Sequence, residues 1–248
     1  MTLVLKNVSY SFKNQKKQEK KVISNLNMEI AGGEFVSLIG KSGTGKSTIL
    51  RLITGLLKQD EGEISINGHP VSLGDVGYMP QRDLLLPWRT IIDNIMLVSE
   101  INKDIHLTKE EARSWLGHVE LLAYENALPK QLSGGMRQRV AFLRAMLTGK
   151  DVLLLDEPFG ALDALTKKDM QSWLLSMWQD LNKTVLFITH DLEEACFLSD
   201  RIILLQPNQT IDEIPVDLKR PRRPEISHEE SFVTLKKNVE NRIAHETY

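Results

Sequence analysis

The chain has 248 residues, 42% of them hydrophobic and 26% charged, and its 31 Lys and Arg nearly balance 33 Asp and Glu for a formal charge of −2. That length supports one α/β core with a subsidiary lobe and buries a core without disulfide or metal staples. The even charge argues against a polyelectrolyte partner, so nucleic-acid binding is not expected.

In chain order, Leu3 to Tyr10 and Val22 to Ile30 alternate as strands, joined by the polar segment Lys13 to Lys21, which reads as a solvated hairpin loop. The opening alternation is not that of a secretory leader, and the longest apolar runs, such as Val152 to Leu155, fall far short of a membrane span. Phe35 to Ile39 is a short apolar strand, Gly40 to Gly45 a glycine loop and Lys46 to Thr54 a helix, with further strands at Glu63 to Ile66 and Val76 to Met79. From Ile91 to Leu128 the periodicity turns helical, with Thr108 and Glu111 at capping-box spacing, which marks a helical lobe.

Helix and buried strand then alternate: Arg137 to Leu147 helical, Val152 to Leu155 strand, Leu165 to Leu181 helical, Thr184 to Ile188 strand, Leu192 to Leu198 helical, Arg201 to Leu205 strand. This alternation predicts a parallel sheet with right-handed crossovers. The one cysteine, Cys196, lies in an apolar helical stretch and reads as a buried thiol in a reducing cytoplasm. Pro215 to Pro224 reads as a basic, proline-rich connector and Phe232 to Ile243 as a terminal helix.

Three elements carry chemistry. Gly40, Lys41, Ser42, Gly43, Thr44, Gly45, Lys46 and Ser47 match the P-loop pattern, continuing into Thr48. Glycines let successive N–H groups curl around a phosphate and the following helix adds its positive end. Lys46 would neutralise the β- and γ-phosphates, and Ser47 would ligate Mg²⁺. The second element is the strand Val152 to Leu155 running into Asp156 and Glu157, acids delivered at the C-terminal edge of a sheet, where α/β folds bind ligands. Asp156 is expected to hold Mg²⁺ through a water and Glu157 to act as general base on the attacking water. The third is His190, just past the strand Thr184 to Ile188, placed to bond the γ-phosphate or to position Glu157. His106, His118 and His228 read as structural.

The run Leu132-Ser133-Gly134-Gly135-Met136, followed by Arg137-Gln138-Arg139, resembles the signature of the nucleotide-binding subunits of ABC transporters, and the resemblance extends over roughly residues 3 to 206. It implies an α/β P-loop NTPase core with a mostly parallel sheet, an N-terminal antiparallel β subdomain and an inserted helical subdomain at about 88–135. Residues 1–206 would form the cassette and 207–248 the connector and C-terminal helix. It further implies a head-to-tail homodimer in which Ser133, Gly134 and Gly135 of one subunit close on ATP held by the other.

By the same resemblance, Gln81 is a ligand of Mg²⁺ and water that senses the permease, Pro158 follows the catalytic acid, and Ala161-Leu162-Asp163 form the loop across the dimer interface. Phe12 stacks on adenine, with Tyr10 two residues earlier as the alternative. Leu85-Leu86-Pro87-Trp88, together with the short tail from Lys219 to Pro224, resembles importers for nitrate, sulfonates, taurine and pyrimidine precursors. The implied partners are transmembrane permease subunits and, indirectly, an extracytoplasmic solute-binding protein, with this chain at the cytoplasmic face of the membrane. The competing reading is a soluble ABC ATPase not coupled to transport.

Overall fold

In a computed structural model that describes residues 2–13 and 19–245, β1 (Leu3–Lys13) and β2 (Glu19–Ile30) form a long antiparallel pair. With β4 (Glu61–Ile66) and β5 (His69–Pro70) they make a four-stranded sheet in the order β2-β1-β4-β5. Both hairpin strands run further than their apolar alternation predicts. Glu19, Lys20 and Lys21 are strand rather than loop, paired so that Lys20 stands opposite Phe12, and the rest of the expected loop, 14–18, lies outside the described residues.

The second sheet combines β3 (Phe35–Gly40), β6 (Gly77–Met79), β7 (Val152–Asp156), β8 (Thr184–Ile188), β9 (Arg201–Leu205) and β10 (Ile211–Pro215) in the order β10-β9-β3-β8-β7-β6. All neighbours pair in parallel except β10, which returns antiparallel along β9. The central strands are buried on both faces and divide their side chains by the two-residue period. Phe35, Leu153, Leu155, Val185 and Phe187 face one core, and Val36, Leu38, Val152, Leu154, Leu186 and Ile188 face the other.

The second of these cores is closed by the four-stranded sheet and α1 (Lys46–Ile53), which contributes Ile49, Leu50, Leu52 and Ile53. The first is covered by α2 (Ile91–Ile101), α3 (Lys109–His118), α4 (Gly134–Met146), α5 (Ala164–Leu181), α6 (Leu192–Leu198) and α7 (Glu230–His245). The lobe helices start where their caps stand: the Thr90 side chain accepts from Asp93 N–H, and Thr108 and Glu111 form the full capping box. Cys196 is buried within α6, and desolvation pushes its thiol up to about 12, so it is inert at neutral pH.

The stretch read as a basic connector turns inward. The Arg222 side chain is 6% exposed, and its guanidinium donates to the carbonyls of Phe197 at 3.0 Å, Ser199 at 2.6 Å and Leu218 at 3.1 Å. Desolvation lowers it to about 10, still charged at neutral pH. Arg220 donates to the carbonyl of Leu198, pairs with Asp200 at 2.7 Å and stacks 4.2 Å above the Trp178 ring. The two arginines thus satisfy carbonyls left over at the C-terminus of α6, and Phe232 and Val239 of α7 sit in the same core. Arg222→Leu strands those carbonyls and is expected to lower stability by about 2–3 kcal/mol, seen in thermal unfolding as a Tm lower by roughly 5–10 °C.

Candidate active site

Strand β3 ends in the centre of its sheet, with β9 on one side and β8 on the other, so the loop that follows opens at the C-terminal edge where parallel sheets bind ligands. That loop needs its glycines for two different reasons. A Cβ on Gly40 would lie 2.6 Å from the Leu205 carbonyl, while Gly45 holds a φ of +104° as it enters α1 and stands against Ile23 and Val22. Lys46 folds its ammonium back onto the loop, donating to the carbonyls of Gly40 at 2.7 Å and Lys41 at 3.0 Å. Burial holds its pKa below the ordinary lysine value, against the attraction of Glu157 and Asp156.

Above the loop is a cavity of about 590 Å³ lined by Phe12, Lys20, Gly43, Lys46, Ser47, Thr48, Gln81, Glu157 and His190 among others. Phe12, 40% exposed, faces this space, whereas Tyr10 meets it edge-on at 5.0 Å and packs on the core behind. Asp156 closes β7 beneath the loop and is buried. Burial raises its carboxyl above the usual range, and the neighbouring Ser47 hydroxyl opposes that shift.

Glu157 takes a left-handed φ of +50°. A β-region residue there would continue the strand; the turn instead swings the carboxylate over the cavity. Its backbone is held from both sides, by N–H donation to the Ile188 carbonyl at 3.0 Å and by Gln138 Nε2 donating to its own carbonyl at 3.1 Å. Its carboxylate oxygens are divided between two of the expected residues: Gln81 Nε2 lies 3.0 Å from Oε2 and His190 Nδ1 3.4 Å from Oε1. Residues from four different elements and loops therefore converge on one acid beside the glycine loop.

The signature lies elsewhere. Helix α4 begins at Gly134, not at Arg137 as its apolar periodicity suggests, with Ser133 as N-cap accepting from Met136 N–H at 3.2 Å. Glycine is a poor helix former, but the first turn has no intrahelical N–H bonds to lose. Close packing also favours it, since a Cβ on Gly135 would meet Leu162 at 3.0 Å. Asp163 caps α5 by accepting from Thr166 N–H at 3.1 Å. Ser133, Gly135 and Asp163 do not line that cavity, and Gly134 belongs to an adjoining cleft that shares Gln81 with it and is also lined by Arg137, Gln138 and Ala161.

Three cavity or support residues escape a reading of the sequence. Lys20 and Val22 line the cavity beside Phe12; only the cross-strand register, which the sequence leaves open, brings them there. Gln138 bridges the Glu157 carbonyl and the Ala161 N–H. Its place beside the signature was visible, its reach to the acid was not.

The sequence profile of the ABC transporter family matches residues 23–160. The chain belongs to the ABC transporter family. Relatives along nearly the whole length of this ABC protein agree. It is 43% identical to the formylaminopyrimidine import ATP-binding protein ThiZ of Halalkalibacterium halodurans, over 96% of this chain and 94% of that one. It is 39% identical to the aliphatic sulfonates import ATP-binding protein SsuB of Bacillus cereus, with the same coverage. Among solved structures, the ATP-binding cassette MJ0796, in a dimeric post-hydrolysis state bound to ADP and Pi, superposes with a TM-score of 0.80 at 31% identity, covering 88% of this chain and all of that one. The α/β P-loop NTPase fold and the ATPase assignment follow, and no helix among the described residues is long and apolar enough to cross a membrane.

Proposed function

We propose that this ABC subunit hydrolyses ATP as a head-to-tail homodimer at the cytoplasmic face of a membrane, and that it drives permease subunits importing a small solute. The relatives' names point to a pyrimidine precursor or a sulfonate. The observation that carries the reading is the division of Glu157's two oxygens between Gln81 and His190, next to the Lys46 loop. In it Glu157 takes a proton from the attacking water, Gln81 and His190 fix the direction of its carboxylate, and Lys46 with the loop N–H groups binds the β- and γ-phosphates. Phe12 stacks on the adenine, with Lys20 on the adjoining strand.

Ser47, Asp156 and Gln81 are the residues that would hold Mg²⁺. They offer hard oxygen donors, with the Ser47 hydroxyl acting on the buried Asp156 carboxylate at the base of the loop, a donor set that suits that ion better than nitrogen or sulfur ligands would. When bound, it neutralises charge on the phosphates. The permease reading is supported by a groove of about 630 Å³ whose apolar wall includes Leu73, Val76, Leu97, Val98 and Ile101, with Arg144 and Lys150 beside it. Leu73 and Ile101 are exposed there, a surface suited to a short amphipathic segment of a membrane partner. The nearby Leu85 to Trp88 run is pinned to α2 by Asn94, whose side chain bonds both the N–H and the carbonyl of Leu86.

Two measurements test the proposal. Purified protein is expected to hydrolyse ATP only with a divalent cation, at a rate rising faster than linearly with protein concentration; metal-independent, strictly linear hydrolysis would contradict it. In vesicles reconstituted with a candidate permease and solute-binding protein, ATP is expected to drive accumulation of labelled formylaminopyrimidine or alkanesulfonate, and uptake of neither removes the solute assignment.

A further inference from the structure

The His190 side chain is 72% exposed, so packing does not hold it in place. Its position follows from its backbone, and that backbone is fastened on both sides to a half-buried charge cluster outside the nucleotide cavity. Before it, the Thr189 hydroxyl donates to Glu194 Oε2 at 2.5 Å and accepts from Asp191 N–H at 3.0 Å. After it, the Asp191 carboxylate caps α6, accepting from Glu193 N–H at 2.9 Å. Both acids converge on one cation: Lys167 Nζ lies 2.7 Å from Asp191 Oδ2 and 2.6 Å from Glu194 Oε1.

Lys167 belongs to a different element. It stands in the first turn of α5, where its N–H donates to the carbonyl of Asp163, the residue that caps that helix. We infer that Lys167 is a positioning residue for ATP hydrolysis, holding the loop that presents His190 to Glu157 and tying that loop to the helix that begins at Asp163. The inference rests on the proposed role of His190.

The electrostatics suit a fixed strut. Glu194 is 5% exposed, and burial raises its carboxyl above the usual range, while Lys167 and Thr189 pull it back. Burial alone would lower Lys167, yet its bonds to Asp191 and Glu194 outweigh that and hold it above the ordinary lysine value. Two short charge-assisted bonds from one ammonium leave little angular freedom. A shift of the α5 N-terminus when two subunits close therefore reaches His190 through three side chains rather than dissipating in solvent.

Steady-state kinetics on the full chain test this. Lys167→Met is expected to lower kcat by ~10-fold or more while the KM for ATP stays within ~2-fold, since misplacing a group that orients the base costs rate and not ground-state binding. Lys167→Arg, which keeps the charge and two donors, is expected to regain most of the rate. Combined with His190→Ala and followed by single-turnover hydrolysis over hours, Lys167→Met should cause no further loss. An equal loss in that background would show that Lys167 acts elsewhere and overturn the inference, as would unchanged kcat in Lys167→Met or no advantage of Arg over Met. Full turnover by His190→Ala alone would remove the His190 role and this inference with it. Should Lys167→Met fail to fold, Thr189→Val cuts the same chain without stranding a charge. A loss of ~3-fold is then expected, again only when His190 is present.

Discussion

Glu157→Gln is expected to cut ATP turnover by at least ~100-fold while leaving ATP binding and ATP-driven dimerisation intact, because it removes a general base and little else. The substitution is nearly isosteric, and the geometry around it predicts a small structural effect. The backbone at Glu157 holds a φ of +50° through bonds to Ile188 and Gln138 that use main-chain atoms of residue 157, so they survive the change. A left-handed non-glycine residue costs of order 1–3 kcal/mol and persists only where its surroundings over-determine it; here two tertiary hydrogen bonds do so. What the amide cannot do is accept a proton from water. Phosphate release gives the rate, and size-exclusion chromatography with and without ATP gives the dimer. Turnover within a few-fold of the unmodified chain would transfer the base to another group. Lost dimerisation would instead mean that the carboxylate helps hold nucleotide.

That prediction was within reach of the sequence because each of its parts is a contiguous run: an apolar strand ending in two acids, and a glycine loop before a helix. Other parts were legible only in outline. The sequence places Gln81 and His190 each just past a strand, but their meeting on opposite oxygens of one carboxylate depends on the sheet order, in which β7 lies between β6 and β8. The start of β2 was hidden because Glu19-Lys20-Lys21 is polar on both faces and so carries no alternation; its register comes from the partner strand. Strand β10 was hidden for a related reason, since Ile211-Asp-Glu-Ile-Pro215 is an edge strand with charges and a proline, features that blunt an edge and also mask it. Arg222 read as a solvated cation because its partners are backbone carbonyls, which leave no mark in a sequence. The antiparallel sheet, the parallel core and the helical lobe were legible because periodicity reports burial directly, and burial is what those elements share.

Mixing Ser133→Ala protein with Lys46→Ala protein is expected to restore hydrolysis that neither shows alone. In either homodimer both composite sites carry a defect. In a heterodimer the intact Lys46 loop of one subunit faces the intact Ser133 of the other, and both defects fall in the second site. Random pairing of equal amounts makes half the dimers mixed, so about a quarter of the unmodified activity should return if one intact site turns over independently. The reason to expect this arrangement is that the N-terminus of α4, capped by Ser133, puts Gly134 in a cleft beside the cavity and no signature residue in the cavity of its own chain. The first-turn N–H groups of a helix and its dipole attract anions, so the γ-phosphate of a partner's ATP would be favoured at that position. Ser133→Ala also removes the N-cap, at a cost of about 0.5–2 kcal/mol, so thermal unfolding of each variant must first show that both remain folded at the assay temperature. With that established, recovery requires two chains to share one site, whereas activity that stays at the sum of the two separate proteins would mean that Ser133 serves its own subunit, if it serves the nucleotide at all.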